Sequence, residues 1–170
     1  MSININRDAD DPFYRYKMPD LKIRQTGRGN GCFTIIDNIE EICKAINTPN
    51  TILLNYIARG LGSNFNEKKN TLTGHYTYDK ILHILYDYIT FFVLCHNCLI
   101  PELTPKIFGN KKNKKLQYSC SACGSEYELY SDTKIYSKTI ENIIKYYSIH
   151  EYVPTKGTMV NTTTDVFQPF

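Results

Sequence analysis

The chain has 170 residues, of which twenty are basic and seventeen acidic, for a formal charge of +3. That length holds one domain, or one small domain with an appendage, and excludes a large multidomain enzyme; a charge this weak does not mark a nucleic-acid binder, so any basic footprint must be local. Six cysteines could make three disulfides, but residues 1–15 are polar, without the apolar core of a signal peptide, and no apolar run reaches the ~18 to 20 residues of a membrane span, so a reducing, cytoplasmic setting with no membrane is expected.

Residues 1–20 carry scattered charges, Pro12, Pro19 and no sustained period, which predicts a flexible N-terminal arm, although Phe13-Tyr14-Arg15-Tyr16-Lys17 is unusually aromatic and basic. An α/β module is predicted over 21–92. Gly27-Arg28-Gly29-Asn30-Gly31 is turn-rich, with Asn30-Gly31 favouring a tight hairpin, and 32–36 reads as a buried strand. Asn38 with Glu41 three residues on makes a capping-box-like start to a helix that carries Ile39, Ile42, Cys43 and Ile46 on one face. Thr48-Pro49 reads as the N-cap and first-turn proline of a second helix ending near Gly60. Strands are predicted at about 63–66 and 71–76, around a polar turn. The clearest helix spans about 78–92, with Tyr78, Ile81, Leu82, Leu85, Ile89 and Phe92 in a stripe.

The most specific signal follows. Cys95-His96-Asn97-Cys98 and Cys120-Ser121-Ala122-Cys123-Gly124 are two CxxC pairs separated by 21 residues. Two intervening residues let a tight turn aim both sulfurs at one ion, so Cys95, Cys98, Cys120 and Cys123 are the expected ligands of one tetrahedral Zn²⁺. Four protein ligands leave no open position, which makes the ion structural. Such an ion contributes roughly 10 to 16 kcal/mol of apparent folding free energy, a large gain beside a small core. Bound zinc and four thiolates lower the formal charge to about +1. The ribbon is expected over 93–131, with strands near 116–119 and 126–130; a helix over 132–147, with Tyr136, Ile140, Ile143, Ile144 and Tyr147 on one face, packs back onto the body, and 148–170 reads as a disordered tail. The expected class is α+β: a small α/β module, three or more helices on a small mixed sheet, followed by a four-cysteine zinc ribbon.

The remaining features are less specific. Gly27-x-Gly29-x-Gly31 lacks the continuation of a phosphate-binding loop. A hairpin tip displaying Arg24, Arg28 and Asn30 is the expected form of this turn. Lys111, Lys112, Lys114 and Lys115 lie between the two knuckles, where they meet RNA or offset the anionic zinc–tetrathiolate centre. Cys32 and Cys43 read as core residues, and His96 as a non-ligand. His75, His83 and His150 have no partner that makes a triad. Asn161-Thr162-Thr163 has the form of a glycosylation acceptor, and 166–170 of a docking peptide or a frayed end.

Together, Asp11-Pro12-Phe13-Tyr14-Arg15-Tyr16-Lys17-Met18-Pro19, the glycine-rich turn, the α/β module, and Phe92-Val93-Leu94-Cys95-x-x-Cys98 with Cys120-x-x-Cys123-Gly124 resemble the N-terminal region of eukaryotic translation initiation factor 5 over residues 1–147. The ribbon alone is shared with the β subunit of initiation factor 2; the aromatic arm resembles factor 5. The resemblance implies a monomeric factor without turnover of its own. It would bind initiation factor 2, whose γ subunit holds GTP, near initiator tRNA and rRNA on the small ribosomal subunit, which makes the hairpin tip with Arg24, Arg28 and Asn30 a candidate RNA contact, against a solvated turn. Arg15 aligns with the arginine that stimulates hydrolysis in that family, and a guanidinium supplied in trans suits a transition state that spreads charge over phosphate oxygens. Two departures stand against it: Phe33 and Asn55 occupy positions where the family carries lysines, and the family's C-terminal helical-repeat domain is not among these residues. They imply an alternative, a non-catalytic mimic, β-subunit-like or a decoy, that alters start-codon selection by occupancy. A zinc-ribbon transcription factor would need only the four cysteines and leaves the arm unexplained.

Overall fold

In the computed structural model, which describes residues 1–153, the first segment is not a flexible arm. Strand β1 (Ser2–Asn4) pairs antiparallel with β2 (Lys17–Pro19), Ile3 opposite Met18. Tyr16 and Met18 point inward while Arg15 and Lys17 stay in solvent, and Met18 is only 1% exposed. Strands of three residues are too short to show a period, so the alternation that buries them is invisible along the sequence. The intervening loop is closed by a bond from Ile5 N to Tyr16 O at 2.9 Å, and Asp11 Oδ1 accepts from Phe13 N at 2.8 Å.

Four more strands form the second sheet: β3 (Ile23–Thr26), β4 (Phe33–Ile36), β5 (Phe65–Asn66) and β6 (Thr71–Thr73), in the antiparallel order β3-β4-β6-β5. The hairpin between β3 and β4 closes at Thr26 opposite Phe33, so the loop is 27–32 with a 3₁₀ turn at Gly29–Gly31, longer than an Asn-Gly turn. Gly27 is needed there: its φ is +83°, and a Cβ would lie 1.8 Å from Gly31 O. Strand β4 is buried on one face only. Thr34 and Ile36 face the core, whereas Phe33 stays partly exposed and Cys32, expected inside, is half-buried with its thiol donating to Gly29 O.

Helix α1 (Ile39–Ala45) buries Ile42 and Cys43, and burial pushes the Cys43 thiol up to about 12. The capping box does not form. Asn38 instead accepts from Lys22 N at 2.9 Å and donates to Asp20 O at 2.7 Å, stitching the helix start to the chain that leaves β2. Helix α2 (Asn50–Leu61) follows Pro49 and ends at Gly62 in the left-handed conformation. Helix α3 (Tyr78–Tyr88), whose start is capped by Thr77 Oγ1, runs into one π-helical turn at Ile89–Val93, closed by Leu94 N donating to Ile89 O. Leu53, Tyr56, Ile57, Leu72, Ile81 and Ile89 are fully buried and form the centre of this layer.

The ribbon has three strands, one more than expected: β7 (Leu103–Asn110), β8 (Asn113–Cys120) and β9 (Glu126–Glu128), in that order. Strand β7 escaped the sequence reading because Pro105 and Gly109 interrupt it; as an edge strand it tolerates both. Helix α4 (Lys134–Tyr147) touches α2, β7 and β8 and buries Ile143, so it joins the module to the ribbon. Of the expected tail, Tyr152 packs against that junction, its Oη 3.5 Å from Leu103 O, while its neighbours in 148–153 are exposed. The tail from 154, including Asn161-Thr162-Thr163 and 166–170, lies outside the described residues.

Because Met18 is a core residue, Met18→Ala should lower unfolding free energy by about 2 to 5 kcal/mol in urea denaturation, the range for buried large-to-small changes. A free arm would give no measurable change.

Candidate metal centre and the arginine arm

The two knuckles are built alike. In the first, Leu99 N donates to Cys95 O at 2.9 Å and Cys95 N to Ile100 O at 3.1 Å; in the second, Gly124 N donates to Cys120 O at 2.9 Å and Cys120 N to Ser125 O at 2.8 Å. Each turn needs a left-handed residue at its fourth step, supplied by Leu99 at φ +59° and Gly124 at φ +74°. The geometry brings all four sulfurs within 4.8 Å of one another. Cys95 and Cys123 Sγ are 3.7 Å apart, and Cys98 and Cys120 Sγ 3.6 Å, each pair crossing between knuckles.

A regular tetrahedron with metal–sulfur distances of ~2.3 Å has sulfur–sulfur edges of ~3.8 Å, so the cluster is compatible with Zn²⁺. Its surroundings favour a thiolate at Cys123. Asn97 N donates to Cys95 Sγ at 3.4 Å, and Asn97 Nδ2 donates to Ser125 Oγ at 2.9 Å, which lies 3.1 Å from Cys123 Sγ. Hydrogen bonding from the Ser125 side chain and backbone holds Cys123 down to about 6, whereas burial pushes Cys98 up to about 12. Four thiolates at this spacing persist together only around a cation. His96 is not part of the cluster: its ring stacks on Tyr127 at 4.9 Å and its Nε2 lies 2.9 Å from Phe91 O.

A residue that the sequence reading did not single out joins this centre to the arm. Glu102 is 8% exposed, and its carboxylate accepts the Tyr16 hydroxyl proton in a buried hydrogen bond. The backbone carbonyl of the same Glu102 accepts from Ser121 N, inside the second knuckle, at 3.0 Å. Burial and then the Glu102 bond raise the Tyr16 hydroxyl above its ordinary pKa, which keeps it a donor. Arg15 is exposed beside it, with its guanidinium carbon 5.4 Å from the Tyr16 ring centroid. A lone acid after a proline carries no spacing signal, so only the fold reveals Glu102.

The candidate RNA-contact residues fall on two separate sheets. Arg28 and Asn30 are exposed on the 27–32 loop, but Arg24 is engaged by Asp37, Nη2 to Oδ1 at 2.9 Å. At the β7–β8 turn, Lys111 and Lys112 have no side-chain partner among the described residues, while Lys114 donates to Ser148 Oγ at 2.9 Å and Lys115 pairs with Glu128 at 3.2 Å. Asn55 Nδ2 donates to Thr51 O within its own helix.

Residues 6–126 match the family described as a domain found in initiation factors 2B and 5. The chain belongs to this initiation factor family. It is 39% identical over 133 residues to eukaryotic translation initiation factor 5 of Caenorhabditis elegans, covering 76% of this chain and 30% of that relative. Against the Mus musculus factor 5 the identity is 38% over 128 residues, 73% of this chain and 29% of the relative. Against that of Saccharomyces cerevisiae it is 35% over 146 residues, 84% and 35%. The chain thus spans about a third of the length of the curated relatives it matches, as an N-terminal region of factor 5 would. Among the described residues of this initiation factor family member, no helix is long and apolar enough to cross a membrane.

For a family member with this cysteine cluster, elemental analysis should find one zinc per polypeptide, and Cys120→Ser should lose it. Because thiolates must reprotonate to release the ion, metal retention should fall as pH is lowered, and the apparent stability that the ion contributes, on the order of 10 kcal/mol, should fall with it. Dialysis against chelator at graded pH, followed by thermal melts, reads both.

Proposed function

We propose that the chain acts in translation initiation as a factor 5-like regulator. It binds the initiation factor 2, GTP and initiator tRNA complex on the small ribosomal subunit, in the cytoplasm, and stimulates GTP hydrolysis in trans through Arg15. The observation that carries this reading is the mounting of Arg15: an exposed guanidinium just ahead of β2, with the next residue, Tyr16, bolted through Glu102 to the second cysteine knuckle. A trans-acting arginine works by electrostatics and position, so a fixed base with a solvent-facing, permanently charged tip is the arrangement the chemistry needs. Zinc supplies the scaffold and no step of the reaction. The γ subunit holds the nucleotide. Arg28, Asn30 and the ribbon lysines are proposed contacts to initiator tRNA and rRNA; Arg24, committed to Asp37, is the weakest of the set.

Phe33 and Asn55 favour a second reading. Neither supplies a cation, so these two positions bind phosphate less strongly than lysines would, and a protein that docks without accelerating hydrolysis fits that loss.

Single-turnover GTP hydrolysis on reconstituted small-subunit complexes separates the two. Under the activator reading, Arg15→Ala lowers the stimulated rate by about 10³ to 10⁵ with binding unchanged, the span typical of a trans arginine. Absence of stimulation by the unaltered protein, with binding retained, assigns the occupancy role, and stimulation that survives Arg15→Ala removes Arg15 from the mechanism. Tyr16→Phe leaves the buried Glu102 carboxylate without its donor. It should destabilise the protein by about 1 to 3 kcal/mol and reduce stimulation by roughly 10-fold or more through misplacement of Arg15.

A further inference from the structure

The charge of this protein is unevenly placed. Between Leu103 and Cys120 there are five lysines, Lys106, Lys111, Lys112, Lys114 and Lys115, and no acidic residue. Twenty basic residues less these five leaves fifteen, against seventeen acidic ones, so the whole positive excess sits on the β7–β8 hairpin. The hairpin also presents Phe108, a large apolar side chain that is 37% exposed. Phe108 stands directly opposite Lys115 and two residues from Lys106, on the face of the ribbon turned away from buried Leu116. Lys115 is engaged by Glu128, Nζ to Oε1 at 3.2 Å.

The tip is fixed by local chemistry. Asn110 Oδ1 accepts from Lys112 N at 3.2 Å and Asn113 N at 2.8 Å, closing the turn over Lys111 and Lys112. Gly109 has φ +104°, and a Cβ there would lie 2.2 Å from Asn113 O, so the strand can turn its tip only with glycine. The result is one aromatic face among cations on a stiff two-stranded ribbon, without the contiguous apolar patch that a protein partner would bury.

We propose that this hairpin binds an unpaired RNA strand, with Phe108 stacking on one base and Lys106, Lys111 and Lys112 contacting phosphates. Every base has a π-face and every linkage a phosphate, so alternating aromatic and cationic groups match a single strand without reading its sequence. This deepens the proposed RNA contact of the ribbon lysines: it adds Phe108 and Lys106, and leaves Lys114 and Lys115 as structural groups held by Ser148 and Glu128. It is independent of Arg15 and of GTP hydrolysis.

The test is fluorescence anisotropy of a labelled twelve-nucleotide oligouridine RNA with the full, zinc-loaded chain, over a salt series. Phe108→Ala should weaken binding by about 5- to 150-fold, the range for losing one stacked base, with zinc content and melting temperature retained because the ring is at the surface. Lys111→Ala with Lys112→Ala should flatten the dependence of log affinity on log salt by about 1.4, for two single-strand phosphate contacts. Lys68→Ala with Lys69→Ala, in the β5–β6 turn, should change nothing. If the lysine variants lose binding and Phe108→Ala does not, the stacking inference falls while the lysines' RNA contact stands. Absence of binding by the unaltered chain, equal affinity for blunt duplex RNA, or displacement by polyglutamate at equal charge concentration overturns both.

Discussion

Four sulfurs held within 4.8 Å of one another are the constraint from which the rest of the architecture follows. Such a set repels itself or stays protonated without a dication, so the two knuckles come together as one unit or not at all. The first knuckle is the direct continuation of α3, and the second closes the ribbon. Through Glu102 the second also reaches the N-terminal hairpin, which has too few residues to hold itself in place. A module of this size buries little of its unfolded surface, and an ion held by the four sulfurs would offset that deficit.

Function, on the reading proposed above, is a matter of placement more than of reactive groups. A guanidinium is charged at any physiological pH, and what the protein adds is where it stands. The Tyr16–Glu102 bond is suited to that task because it is buried, short in reach and anchored to backbone that the second knuckle already fixes. The local charge of the β7–β8 hairpin follows the same economy, concentrating cations on one rigid feature while the body stays slightly acidic.

Much of this was legible in the chain. The cysteine spacing picked out the four sulfurs that the fold brings together, and the helical stripes located α2, α3 and α4 to within a few residues. What could not be read depends on partners distant in sequence. Met18 looks like any methionine in a charged arm until Ile3 is paired opposite it. Asn38 carries the signature of a cap, yet its amide is worth more bridging Lys22 and Asp20, a choice set by tertiary contact. Arg24 reads as a free cation until strand pairing sets Asp37 beside it. Glu102, the most informative of these, acts through a residue 86 positions away.

The π-helical turn at Ile89–Val93 sets the angular phase between α3 and the first knuckle. Each residue of a regular helix advances the chain by about 100°, so removing the extra residue that such a turn accommodates would swing Cys95 and Cys98 around the axis by that amount. The four-cysteine half is therefore not an interchangeable cassette. Chimaeras that splice it onto another helix must inherit the bulge as well.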